Sequence, residues 1–203
     1  MILIGICGES GSGKTLTSEI IARKLNCQVY HLDNLQKEVE VWKRKSFVKK
    51  FTVPTNDSNG DEIVVIDPKF KGKRMSSKAV ENLYEKVKMS ALKSIIMKRI
   101  LKQRMSKAKY FIIEGTQLPV YISLNMLDIK ILMNREFSLR QKDVIKRDNI
   151  SEEEFEAREE YDKPKIQLCK GFKNVINNNG TKDDLEAKIE DVLNREIDND
   201  RTI

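Results

Sequence analysis

Apolar residues gather in short runs separated by stretches of helical periodicity. The runs fall at Ile2–Cys7, Gln28–Leu32, Tyr110–Glu114, Ile129–Met133 and around Val175–Ile176, and each predicts a strand. Between them, Leu16, Ile20, Ile21 and Leu25 stand at helical spacing. Val80, Leu83, Tyr84, Val87, Ala91 and Ile95 repeat at three to four residues as far as Leu101, which predicts a long helix before the third strand. Ser151-Glu-Glu-Glu154 has the spacing of a capping box, and Thr181-Lys-Asp-Asp184 opens the last helix in the same way. Strands alternating with helices predict an α/β fold built on a doubly wound, mostly parallel five-stranded sheet. Residues 52–66 differ in character. Pro54, Asn56, Asp57, Ser58, Asn59 and Gly60 mark a turn before the β-prone run Ile63–Ile66, and the segment reads as an irregular insertion.

At 203 residues, 39% apolar and with only four prolines, the chain has the composition of one folded domain rather than a disordered tail. Cys7, Cys27 and Cys169 are odd in number and lack metal-ligand spacing, which argues for a reducing cytoplasm and against a disulfide framework or a zinc site. No apolar run approaches the ~20 residues needed to cross a bilayer. The first strand begins at residue 2, so neither a targeting peptide nor a membrane partner is expected. The net charge of +7 is uneven: residues 43–74 carry nine Lys/Arg against four acids. That excess suits a mouth for an anionic small molecule, and equally a solvated lysine-rich loop. Nucleic acid ranks third, because few aromatics interleave with the charge.

The strongest chemical signal is Gly8-Glu-Ser-Gly-Ser-Gly-Lys-Thr15, directly after the first strand and before a helix. This is the Gly-x-x-x-x-Gly-Lys-[Ser/Thr] phosphate loop (the Walker A motif) in the strand–turn–helix setting it requires. Gly8, Ser10, Gly11, Ser12 and Gly13 would offer backbone N–H groups to a triphosphate. Lys14 would reach its β- and γ-phosphates, and the Thr15 hydroxyl would ligate Mg²⁺. The dipole of the following helix favours the same negative charge. ATP and Mg²⁺ are therefore the expected nucleotide and metal.

Further candidates stand at the carboxyl ends of the strands, where doubly wound sheets bind ligands. Asp33 closes the second strand and can orient or deprotonate an attacking hydroxyl, or cap a helix. His31 alternates to the other side of that strand and reads as structural. Glu114 ends the third strand in the position that holds a Mg²⁺-bound water, and Gly115 permits close backbone approach. After the fourth strand, Arg140, Lys142, Lys146 and Arg147 lie on one expected helix and Arg158 on the next. Arg147 and Arg158 are the pair expected to clamp a phosphoryl group, the others forming a solvated face. Asn177-Asn-Asn-Gly180 is a turn whose Asn178 and Gly180 can border an adenine ring, or simply lead into the last helix.

With these pieces in order, the chain resembles dephospho-coenzyme A kinase, a small P-loop kinase related to nucleoside monophosphate kinases. Three stretches carry the resemblance: the phosphate loop, Arg147-Asp-Asn-Ile-Ser-Glu-Glu-Glu-Phe-Glu-Ala-Arg158, and Val175-Ile-Asn-Asn-Asn-Gly180-Thr-Lys-Asp-Asp-Leu185. Asp33 matches the second, catalytic aspartate of that family's Asp-x-Asp pair, and His31 stands in place of the first. Asn59-Gly-Asp-Glu-Ile63 is faintly similar to its acceptor region. His31-Leu-Asp-Asn34 and Phe111-Ile-Ile-Glu-Gly115 also look like uridine kinase relatives. The resemblance implies one kinase domain over residues 1–203, with an acceptor-binding insertion at about 43–78 and a lid at about 147–165. It implies ATP-dependent phosphorylation of a small-molecule hydroxyl, foremost the 3′-hydroxyl of dephospho-coenzyme A and next a nucleoside. A nucleotide switch, a nucleic-acid ATPase or a non-catalytic nucleotide-binding protein is the contrasting class, and the Asn-Lys-x-Asp guanine motif of the first is absent.

Overall fold

A computed structural model describes residues 1–32, 52–56, 62–66 and 77–198. The chain divides into two compact units, residues 1–32 with 99–203, and residues 33–98.

The first unit is built on a five-stranded sheet: β1 (Ile2–Gly8), β2 (Gln28–His31), β5 (Tyr110–Glu114), β6 (Ile129–Asn134) and β7 (Asn174–Asn177), in the order β2-β5-β1-β6-β7. Every pairing is parallel, so the expected sheet holds in strand number and becomes parallel throughout. The inner strands β5 and β1 are apolar because both their faces are covered: all five residues of β5 are buried, and so are six of the seven in β1. On one face Ile4, Ile6, Ile112 and Ile131 pack with Ile20 and Ile21 of helix α1 (Lys14–Leu25) and with Leu185, Ile189 and Val192 of the C-terminal helix (Lys182–Asp198). On the other, Leu127 and Leu118 crowd the space beside Gly5, where any Cβ would collide with Leu127 Cδ1.

The second unit contains β3 (Thr52–Asn56) paired antiparallel with β4 (Glu62–Ile66), with Pro54 opposite Val64. Within the irregular insertion read from the sequence, residues 52–56 and 62–66 thus form a two-stranded ladder. The turn residues masked the strand before them, and Pro54 is tolerated because a two-stranded pair has only edge strands. The long helix α2 (Ser77–Met105) follows, its residues from 99 onward belonging to the first unit. Asp33, the basic tract apart from the two strands, and most of the expected insertion lie outside the described residues.

The first unit continues through a short helix α3 (Leu118–Tyr121), then α4 (Phe137–Asp148) and α5 (Glu152–Gln167) after β6. The capping box expected at Ser151 is formed: the Glu154 N–H donates to Ser151 Oγ at 3.2 Å and the Ser151 N–H to Glu154 Oε2 at 2.9 Å. The sequence signature at Thr181 is likewise realised with Asp184. Helix α5 has a single buried residue, Phe155, stacked edge-on to Phe137 of α4 with ring centroids 5.5 Å apart. Its far end is tied down where the Cys169 thiol donates to Cys7 Sγ of β1 at 2.9 Å. Because so much of the helix's seating rests on one ring, Phe155→Ala is expected to cost about 3–5 kcal/mol in urea denaturation.

Candidate active site

The parallel register sets the carboxyl ends of the strands side by side. Ile6 is level with Glu114, Glu114 with His31, Gly8 with Met133, and Asn134 with Asn177. The phosphate loop leaves β1 along that edge. Gly13 sits at φ 95°, a left-handed conformation that L side chains rarely adopt, and a Cβ there would collide with Asn178 Nδ2. Glycine is required at this position on both counts.

Four consecutive loop carbonyls are taken by side-chain donors. Lys14 Nζ donates to Glu9 O at 2.8 Å, Arg140 Nη1 to Ser10 O at 3.2 Å, Arg135 Nη1 to Gly11 O at 3.1 Å, and Asn178 Nδ2 to Ser12 O at 3.1 Å. In a trans peptide the N–H of the following residue points opposite to the carbonyl. Donors that hold these carbonyls therefore turn the N–H groups of Ser10, Gly11 and Gly13 the other way. The Ser12 N–H closes the loop on Glu9 O at 3.2 Å. The loop's shape is thus fixed by donors on its carbonyl side.

Arg140 is the centre of that support and corrects the expectation of a solvated face. It is 3% exposed, with Nη2 2.9 Å from Glu9 Oε2, Nη1 2.6 Å from Glu159 Oε2, and Nε donating to Arg135 O at 3.1 Å. A guanidinium buried to this degree is retained because its donors are matched by acceptors. Glu159 belongs to α5, so the same side chain ties loop, α4 and α5 together. Burial pushes the Glu159 carboxyl above its ordinary pKa, against the pull of Arg140. No pattern of hydrophobicity flags such a residue. The only available signal is Arg140 lying just before the lid-like stretch that begins at Arg147.

The two arginines expected to clamp a phosphoryl group do converge, on a carboxylate of their own helix pair. Arg147 Nε lies 2.8 Å from Asp148 Oδ1 and Arg158 Nη1 lies 2.7 Å from Asp148 Oδ2. Arg135, which sequence reading passed over, reaches the loop and pairs with Asp143 Oδ2 at 2.7 Å. Asn178 reaches it too, while Gly180 lies against Asp184, whose Oδ2 would be 2.5 Å from an added Cβ.

Glu114 is 3% exposed, with Oε1 3.4 Å from Thr15 Oγ1 and Oε2 without a hydrogen-bond partner among the described residues. His31 corrects a second expectation. Its Nδ1 lies 2.7 Å from Glu114 Oε1, because the in-register pair His31 and Glu114 project on the same side of neighbouring parallel strands. The missing Cβ of Gly115 leaves room for Leu32, whose Cβ would be 2.8 Å away. Among the described residues no group of three or more His, Cys, Asp or Glu could hold a metal alone. A buried carboxylate with an orphaned oxygen beside the loop threonine does fit Mg²⁺, which takes one or two carboxylates and completes its shell with phosphates and water.

No family model matches the chain. A dephospho-CoA kinase from Arabidopsis thaliana is 26% identical over 204 residues, covering 95% of this chain and 83% of the relative. The structure of TT1252 from Thermus thermophilus superposes with a TM-score of 0.62 at 24% identity, covering 96% of this chain and 97% of that one. A dephospho-CoA kinase from Campylobacter jejuni gives 0.61 at 16% identity, covering 97% and 98%. The chain shares the fold of these solved structures, and its likeness to the dephospho-CoA kinases runs nearly end to end. No described helix is long and apolar enough to cross a membrane.

Two outcomes test these placements. Arg140→Ala strips the mostly buried Glu159 and the partly exposed Glu9 of their shared cation and is expected to cost about 3 kcal/mol. Arg147→Ala, at a side chain 61% exposed, should stay within about 1 kcal/mol, both read by urea denaturation. The Asp148 carboxyl is drawn down from 3.8 to about 2, chiefly by the hydrogen bond from Arg147, with Arg158 adding and partial burial opposing. A folded pKa below the unfolded one gives stability that is complete above about pH 4 and lost as pH falls through about 2. Asp148→Asn should therefore be the less stable protein at neutral pH, and the difference from wild type should vanish between about pH 4 and about pH 2.

Proposed function

We propose that the chain transfers the γ-phosphoryl group of ATP to the 3′-hydroxyl of dephospho-coenzyme A. The observation that carries the reading is the loop itself, its carbonyls tied from outside so that its amides face away from those donors. The acceptor rests on the likeness to the Arabidopsis dephospho-CoA kinase, supported by the quoted lid-like and final-strand stretches.

In this reading the loop amides of residues 8–15 and the Lys14 ammonium hold the β- and γ-phosphates. Lys14 now rests on Glu9 O, a short swing from any phosphate the loop encloses. Thr15 and Glu114 hold the magnesium carried with the nucleotide, which neutralises phosphate charge when bound. Asp33 orients or deprotonates the acceptor hydroxyl, the role its position after β2 suits. Arg147 and Arg158 lie on the proposed lid, residues 147–165. They exchange the Asp148 carboxylate for oxygens of the transferring group, where planar guanidinium forks stabilise spreading charge. Asn178, which braces the loop, and Gly180 border the adenine. The basic tract at residues 43–74, within the insertion at 43–78, supplies charge suited to an anionic acceptor. A cytoplasmic setting accords with three free thiols.

The measurement is phosphotransfer by purified protein with Mg·ATP against a panel of dephospho-coenzyme A, uridine, nucleoside monophosphates and other small alcohols. Dephospho-coenzyme A is expected to be the preferred acceptor, and ATP hydrolysis driven only by added DNA or RNA would sink the reading. Lys14→Ala should lose about 10²-fold or more in turnover, in line with removal of one charge-stabilising donor. Asp33→Asn should lower kcat by about 10²–10⁴-fold while leaving ATP affinity near wild type.

A further inference from the structure

The contact between His31 and Glu114 has no part in the reading above. Glu114 is a carboxylate 3% exposed, and burial of such a group is costly unless its oxygens are hydrogen-bonded. One oxygen is served: His31 Nδ1 lies 2.7 Å from Oε1, and the Thr15 hydroxyl donates to the same atom at a longer 3.4 Å. The other, Oε2, has no partner among the described residues. A carboxylate accepts only, so Nδ1 is the donor. The neutral Nδ1–H tautomer and the imidazolium both donate there, and the contact needs no change of charge to form.

The geometry fixes what this bond does. A Glu side chain has three rotatable bonds, and a single weak bond from Thr15 would leave the carboxylate free to turn. The short bond from His31 comes from the neighbouring strand, at a position locked by backbone register, Tyr30 opposite Ile113 and His31 opposite Glu114. It therefore pins Oε1 from a rigid element and leaves Oε2 as the open acceptor. Metal sites depend on such outer partners to orient their ligands.

We propose that His31 is a positioning residue, which holds the Glu114 carboxylate so that its unpartnered oxygen receives the hydrated divalent cation carried by the nucleotide. The proposal rests on the nucleotide-binding reading above. His31 touches neither nucleotide nor acceptor in this role. It acts through Glu114, and its removal should weaken the metal's contribution to binding while sparing the nucleotide's own.

Calorimetry with a non-hydrolysable ATP analogue separates the two. The analogue is titrated into each protein once with Mn²⁺ and once with a chelator, and the ratio of the two affinities is the gain the metal provides. His31→Ala should reduce that gain about tenfold, with the chelator affinity unchanged. His31→Phe, which keeps a ring and removes the donor, should do the same and serves if the alanine variant does not fold. His31→Asn, whose amide can donate near the Nδ1 position, should restore most of the gain. Equal gains in wild type, H31A and H31F overturn the proposal alone, as does a wild type that binds the analogue equally with and without metal. A wild type that binds no analogue under either condition overturns the nucleotide reading, and this proposal with it.

Discussion

A phosphate loop is a short run of backbone that must present N–H groups inward with no regular ladder to hold them. In this protein the constraint is met from outside the loop. Each carbonyl from Glu9 to Ser12 accepts a side-chain donor, and three of the four donors come from distant parts of the chain. Arg140 contributes most, because it is buried and its guanidinium is shared between the loop, Glu9 and Glu159. The energetic logic is that of a buried ion cluster. Its charges cost desolvation that their mutual attraction repays only while every member stays in place. Loss of any one member would leave the others stranded, so loop shape and helix placement stand or fall together.

That coupling has a consequence for the helices that follow β6. Helix α5 is seated by Phe155 at one point, by Glu159 on Arg140 at another, and by Cys169 on Cys7 beyond its end. The loop side of the α4–α5 pair is thus fixed to the site by buried contacts. The opposite end, where Arg147 and Arg158 share Asp148, is exposed and held by ion pairs that water weakens. An element with one buried, cooperative attachment and one solvated attachment is suited to exchange partners at the solvated end without disturbing the loop.

Much of this was legible in the order of residues. The five apolar runs became the five strands of the parallel sheet with boundaries shifted by a residue or so, because inner strands such as β1 and β5 are covered on both faces and must be apolar throughout. The glycine spacing of the loop and the capping signatures at Ser151 and Thr181 were equally legible, since each encodes contacts among near neighbours in the chain. The strand Thr52–Asn56 was not legible. Pro54 and Asn56 are turn residues by type, and pairing with β4 overrode that preference.

What the sequence determined on its own was local: where strands and helices begin, which segment can wrap phosphate, and which acids end strands. Tertiary structure alone decided which charges are structural. Arg140 and Arg147 both look like polar positions of one helix, yet packing buries the first under the loop and leaves the second in solvent. The sequence reading puts His31 on the other side of its strand from Asp33, although residues two apart share a face, and register sets it beside Glu114, 83 residues away. Burial and register are properties of neighbours brought from elsewhere in the chain, and no window of sequence contains them.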